Sequence, residues 1–126
     1  MPSKPKSKPQ KRALLVDDDI PILRALDARL SHSGYEVDAM RDASSALSQA
    51  AQCPPDVAVL DINMPGLDGF QMAEQMRIQH PDCRLFFITA GADENVRAKA
   101  ASYGAALHEK PFNSEELLSD LQAALA

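Results

Sequence analysis

Three apolar runs and one short strand-like segment in this chain end in side chains that do not belong in a core. Ala13 to Val16 runs into Asp17, Asp18 and Asp19, and Val57 to Leu60 ends at Asp61. Arg84 to Thr89 closes on a hydroxyl, and Ala106 to Glu109 meets Lys110. If these runs are parallel strands, their ends share one edge, and open α/β sheets bind ligands outside the carboxyl ends of their strands. Three carboxylates crowded there repel one another and retain protons unless a cation neutralises them. Oxygen ligands alone, and few of them, suit Mg2+, which keeps several waters and tends to share a site with a phosphate. A lysine and a hydroxyl at the same edge supply a positive charge and a donor for phosphate oxygens. The set fits phosphoryl chemistry on a carboxylate.

Positioning these groups requires a particular alternation of elements. Val57 to Leu60 has no polar break, the mark of a strand buried on both faces in a parallel sheet. The turn after Asp61 is rich in breakers: Asn63, Met64, Pro65, Gly66, Asp68 and Gly69, with Asp68 and Gly69 read as turn and cap residues. Behind Asp17 to Asp19, Pro21 suits a first helical turn, and Ile22, Leu23, Leu26 and Leu30 recur on one face up to Gly34. Tyr35 to Ala39 reads as a second strand. Asp42 or Ser44 can cap a helix lined by Ala43, Ala46, Leu47, Ala50 and Ala51. Phe70, Ala73 and Met76 mark a third helix, and Val96, Ala100 and Tyr103 a weaker fourth. Asn113 and Glu116 form a capping box for the last, whose stripe is Leu117, Leu118, Leu121, Ala124 and Leu125. Five strands alternating with five helices give an α/β fold, a doubly wound parallel sheet with helices on both faces.

Composition narrows the function. The 126 residues make one domain, 45% apolar and 25% charged, with no apolar run near the ~20 residues of a membrane span. The formal charge of −5 is unevenly spread: residues 1 to 12 carry five basic side chains and no acid. The rest holds 8 basic against 18 acidic groups, a balance of −10 that repels a nucleic-acid backbone and attracts cations. Residues 1–12, with Pro2, Pro5 and Pro9 between lysines, read as a flexible basic tail ahead of a domain over 13–126. The leader has no apolar segment of a secretory signal, so a cytoplasmic location is expected. Cys53 and Cys83 lack metal-ligand spacing and read as free thiols, while His32, His80 and His108 read as surface or loop residues.

The blocks LLVDDD, DVAVLDINMPGLDG, FFITA, Gly104-Ala105 and Lys110-Pro111-Phe112 follow one another in the order and spacing of a known family. From about Ala13 to Ala126 the chain resembles the receiver domain of two-component response regulators. The resemblance implies a flavodoxin-like strand order of 2-1-3-4-5. It also implies that Asp61 accepts a phosphoryl group from a sensor histidine kinase or phosphotransfer protein. Asp18 and Asp61 would then bind Mg2+ directly, Asp17 through water, and Asn63 through its backbone carbonyl, while Thr89 and Lys110 hold the phosphate. The Lys110–Pro111 peptide is expected to be cis, and Asp61 is expected to be ionised at neutral pH without a general base. Phosphorylation would draw Thr89 toward the site and change the face of the last two helices and the fifth strand, a possible homodimer surface. Where the family commonly carries a switch aromatic, three residues before the lysine, this chain has Leu107.

Two other functions use similar parts. An aspartyl-nucleophile phosphatase wants a second acid two residues beyond the nucleophile, where this chain has Asn63. A flavin carrier wants a hydroxyl- and glycine-rich phosphate loop after the first strand, where this chain has three aspartates.

Overall fold

The computed structural model describes residues 11–64, 66 and 68–125, so residues 1–10 of the expected tail and Pro65 of the turn lie outside the described residues. In chain order the elements are β1 (Arg12–Val16), α1 (Ile20–His32), β2 (Glu36–Met40), α2 (Ala43–Gln52) and β3 (Val57–Asp61). They continue as α3 (Gly69–Gln79), β4 (Arg84–Thr89), α4 (Glu94–Ser102), β5 (Ala106–Glu109) and α5 (Ser114–Ala124). All pairings are parallel, in the order β2-β1-β3-β4-β5. The alternation and the strand order expected above both hold.

Alternating side chains of the central strands feed two cores, which is why the runs show no polar break. Leu14, Val16, Ala58, Leu60 and Phe87 pack with α2, α3 and α4, through Ala46, Phe70, Met76 and Ala100 among others. Ala13, Leu15, Val57, Val59 and Ile88 pack with α1 and α5, through Leu23, Leu26, Leu30, Leu117 and Leu121. Each buried Leu, Val or Phe contributes roughly 1.5–3 kcal/mol of transfer free energy, so burial on both faces fixes the strand ends that carry the polar groups.

Local chemistry sets the helix starts. Asp19, Asp42, Asp68, Asp93 and Asn113 each accept a backbone N–H of the first turn. The reciprocal capping box forms at Asp68 and Gln71; at Asn113 the side-chain oxygen takes the N–H groups of Glu115 and Glu116. Some expectations shift. Arg12 belongs to β1 rather than to a tail, bonded to Glu36 and, at 3.0 Å, to Asp38. Ala51 is exposed, off the packed face of α2. His108 is neither surface nor loop: it lies in β5 with a side chain 10% exposed and Nε2 3.0 Å from Asp120.

One close approach ties the fold to the site. A Cβ on Gly69, at the start of α3, would stand 2.5 Å from the carbonyl oxygen of Asp61 and 2.9 Å from Cα of Ile62. Only glycine lets α3 begin directly beneath the end of β3. Gly69→Ala is expected to destabilise the domain by about 2 kcal/mol or more, since backbone must move to admit the methyl. Gly91→Ala, with nothing within 4 Å of its Cβ position, is expected to fall within about 0.5 kcal/mol of the parent. Urea unfolding of the two variants measures the difference.

Candidate functional site

At the carboxyl edge the register brings the expected residues together. Val16 pairs with Leu60 and Asp61 with Ile88, so the β1–α1 loop lies beside the end of β3, and Thr89 closes the next strand. Asp17 is 1% exposed, Asp61 2% and Thr89 0%, while Asp18 faces solvent. Asp17, Asp18 and Asp61 each offer a carboxylate oxygen, all within 4.8 Å of one another. Lys110 reaches in from the end of β5, with Nζ 2.8 Å from Oδ2 of Asp17 and 3.4 Å from Oδ2 of Asp61. Its own backbone N–H donates to the Thr89 carbonyl at 2.7 Å, and the Lys110–Pro111 peptide is cis as expected.

The second oxygens of the buried acids are held by backbone. Oδ1 of Asp17 accepts from the N–H of Asp19 at 2.9 Å, and Oδ1 of Asp61 from that of Asn63 at 3.2 Å. Three carboxylates thus face one ammonium. Burial first, then the charge of Asp17, push Asp61 up to about 7, against the pull of Lys110. This is the partial protonation expected of crowded acids without a cation, and it departs from the expectation that Asp61 is by itself ionised at neutral pH. For Lys110, burial pulls down, but Asp17 and Asp61 outweigh it and hold the ammonium above its ordinary range. An all-oxygen donor set with a surplus of negative charge fits a hard divalent cation, and the residues to hold it are Asp17, Asp18 and Asp61.

Asn63 is also at this edge, with a feature its sequence position did not disclose. Its Nδ2 donates to the hydroxyl oxygen of Thr89 at 2.9 Å. Leu107 is half-buried against the core shared by α2, α3 and α4, and Tyr103 packs against the same core. The Tyr103 ring lies parallel to Phe70 at 6.0 Å and edge-on to Phe87 at 5.8 Å. Its hydroxyl is 3.1 Å from Glu74, and the Arg77 guanidinium sits 4.6 Å from the ring centroid. On this face Arg97 pairs with Glu109 and Glu115 with Arg29, and Nε2 of His108 lies 3.0 Å from Asp120.

A five-stranded parallel sheet with acids, a hydroxyl and a lysine at one edge defines a signalling fold, and sequence comparison agrees. The response regulator receiver domain model matches residues 13–122, and the chain belongs to that family. Receiver domains as a class are phosphorylated on an aspartate and signal rather than turn over substrates. Among curated relatives, the response regulator MprA of Mycolicibacterium vanbaalenii is 37% identical over 115 residues, 90% of this chain and 50% of MprA. The chain spans about half the length of the curated relatives it matches. A CheY-like receiver domain protein from Methanospirillum hungatei superposes with a TM-score of 0.87 at 29% identity, covering 93% of this chain and 94% of the other. The chemotaxis protein CheY4 of Vibrio cholerae gives 0.83 at 31%, covering 92% and 99%. Among the described residues, no helix is long and apolar enough to cross a membrane.

The raised Asp61 makes stability depend on pH. In the unfolded chain an aspartate loses its proton near ~3.9, in the fold near 7, so between these values the folded form binds more protons. Stability therefore falls as pH rises through that window. In the presence of a chelator, Asp61→Asn is expected to flatten this decline and to gain on the order of 1–2 kcal/mol at pH 8, roughly 4–8 °C in Tm. Thermal melts at pH 5 and pH 8 read both effects.

Proposed function

We propose that this domain takes a phosphoryl group onto Asp61 from a phosphohistidine on a sensor kinase or phosphotransfer protein. The observation that carries the reading is the Lys110 ammonium between Asp17 and Asp61, at 2.8 and 3.4 Å, with the Thr89 hydroxyl on the neighbouring strand end. Membership of the receiver family supports the same aspartate, because it ends the strand in the block that carries the resemblance. In the transfer, a carboxylate oxygen of Asp61 forms the new O–P bond as the donor's N–P bond breaks, and the leaving imidazole keeps the electron pair. Lys110 offsets charge developing on the equatorial oxygens, and Thr89 donates to one of them once the group has arrived.

Mg2+, held by Asp17, Asp18, Asp61 and the Asn63 carbonyl, would supply charge neutralisation for the phosphoryl oxygens. The residues themselves place the nucleophile: the Asn63 N–H fixes one oxygen of Asp61, and the apolar strand behind it excludes water. A nearby positive charge lowers a carboxylate's affinity for protons, so cation and lysine together favour the ionised nucleophile.

The phosphorylated domain would act on a partner or an output domain through the loop after β4 and the surface of α4, β5 and α5. That surface is also the proposed homodimer face. The Arg97–Glu109 and His108–Asp120 contacts lie on it, so a partner there would compete with them.

With Mg2+ and a small acyl phosphate, mass spectrometry is expected to find one added phosphoryl group, released by hydroxylamine. Asp61→Asn should abolish it. Lys110→Ala should slow its formation by about a hundredfold, the usual scale for removing one group that stabilises transition-state charge. An adduct that persists in Asp61→Asn would assign the chemistry elsewhere.

A further inference from the structure

The Thr89 hydroxyl is fully engaged without any phosphoryl group. A hydroxyl has one proton to donate and two lone pairs to accept with. Thr89 donates to the Gly91 carbonyl oxygen at 2.9 Å and accepts from the Gly91 N–H at 3.2 Å and from Nδ2 of Asn63 at 2.9 Å. The residue is 0% exposed, so water does not compete for these positions. Two of the three bonds are local, to Gly91, and the one in which Thr89 donates commits its proton to a carbonyl of the β4–α4 loop. The third comes from 26 residues earlier in the chain and ties Thr89 to the loop that follows Asp61.

We propose that the Asn63 carboxamide is a positioning residue that holds Thr89 in the unphosphorylated arrangement, so that Asn63 sets how readily the β4–α4 loop switches. The proposal rests on the reading of Asp61 as phosphoacceptor. To donate to a phosphoryl oxygen on Asp61, Thr89 must withdraw its proton from Gly91 and rotate. That motion breaks the acceptor geometry facing Asn63. Asn63 is exposed, so its freed amide is taken up by solvent at little cost, whereas the buried hydroxyl must find its new partner in the site. The clamp therefore opposes switching by about the net worth of one hydrogen bond, and it is released at the residue whose backbone N–H is bonded to Asp61. A change at Asp61 reaches both ends of Asn63, the backbone directly and the carboxamide through Thr89.

The test uses beryllofluoride, a non-covalent phosphoryl mimic, with Mg2+, read by NMR at the Thr89 methyl and the Gly91 amide. Asn63→Ala keeps the backbone groups and removes the clamp. In the free protein its Thr89 and Gly91 signals are expected to move toward their beryllofluoride-bound positions, and beryllofluoride should bind about three- to tenfold tighter. In a Thr89→Val background, which lacks the hydroxyl, Asn63→Ala should change neither quantity, because the partner is gone. Asn63→Ala signals and affinity equal to those of the parent would overturn the clamp while leaving Asp61 phosphorylation intact. An effect that survives Thr89→Val would also overturn it, placing Asn63 on the cation or the anion instead. If the parent chain itself bound no beryllofluoride and took no phosphoryl group, the reading of Asp61 would fail first, and the clamp with it.

Discussion

The crowding of carboxylates at one end of a buried sheet is the interaction on which this structure turns. Asp17 and Asp61 are almost wholly withdrawn from water, and Asp18 joins them from the solvent side. Like charges so placed are tolerable only if something answers them, and among the described residues one ammonium, Lys110, is shared between the two buried acids. One positive charge against three negative ones leaves a surplus. Burial first, and then the charge of Asp17, push Asp61 up to about 7.

The rest of the fold makes that edge rigid enough to hold the imbalance. Burial of β1, β3 and β4 between two helical layers fixes the strand ends in register, and Gly69 lets α3 start against the Asp61 carbonyl. The side chains that respond are attached to the less constrained parts: Asn63 in the turn after β3, Thr89 at the root of the β4–α4 loop, and Lys110 after the short β5. A stiff sheet with polar groups on its loops is suited to report a change of charge as a change of loop position. The aromatic packing extends this arrangement sideways, since Tyr103 links the end of α4 to Phe70 and Glu74 of α3 while Leu107 fills the core beside it.

Much of this was legible in the chain itself. Unbroken apolar runs announced strands covered on both sides, the polar residue closing each run announced the functional edge, and Asp42, Asp68 and Asn113 announced helix starts, whereas the Asp93 cap of α4 was not read. Where reading failed, the reason was three-dimensional. His108, within the run read as the fifth strand, looked like a surface or loop residue because its polarity hides that β5 turns it toward α5 and Asp120. Ala51 fell at the right spacing but faces outward in the last turn of α2. The capping box assigned to Asn113 and Glu116 formed at Asp68 and Gln71, a choice that depends on side-chain reach and not on residue type.

The order of residues determined by itself the α/β alternation, the two-sided burial of the sheet and the identity of Asp17, Asp18, Asp61, Thr89 and Lys110 as the edge residues. These follow from local periodicity and from where each run stops, both of which are carried by neighbours in sequence. Only the tertiary structure decided the protonation of Asp61, the sharing of Lys110 between two acids and the bond from Asn63 to Thr89. Each depends on distance and exclusion of water between residues 26 to 93 positions apart in the chain, and electrostatic and hydrogen-bond strengths are set by that separation in space, which sequence spacing does not encode.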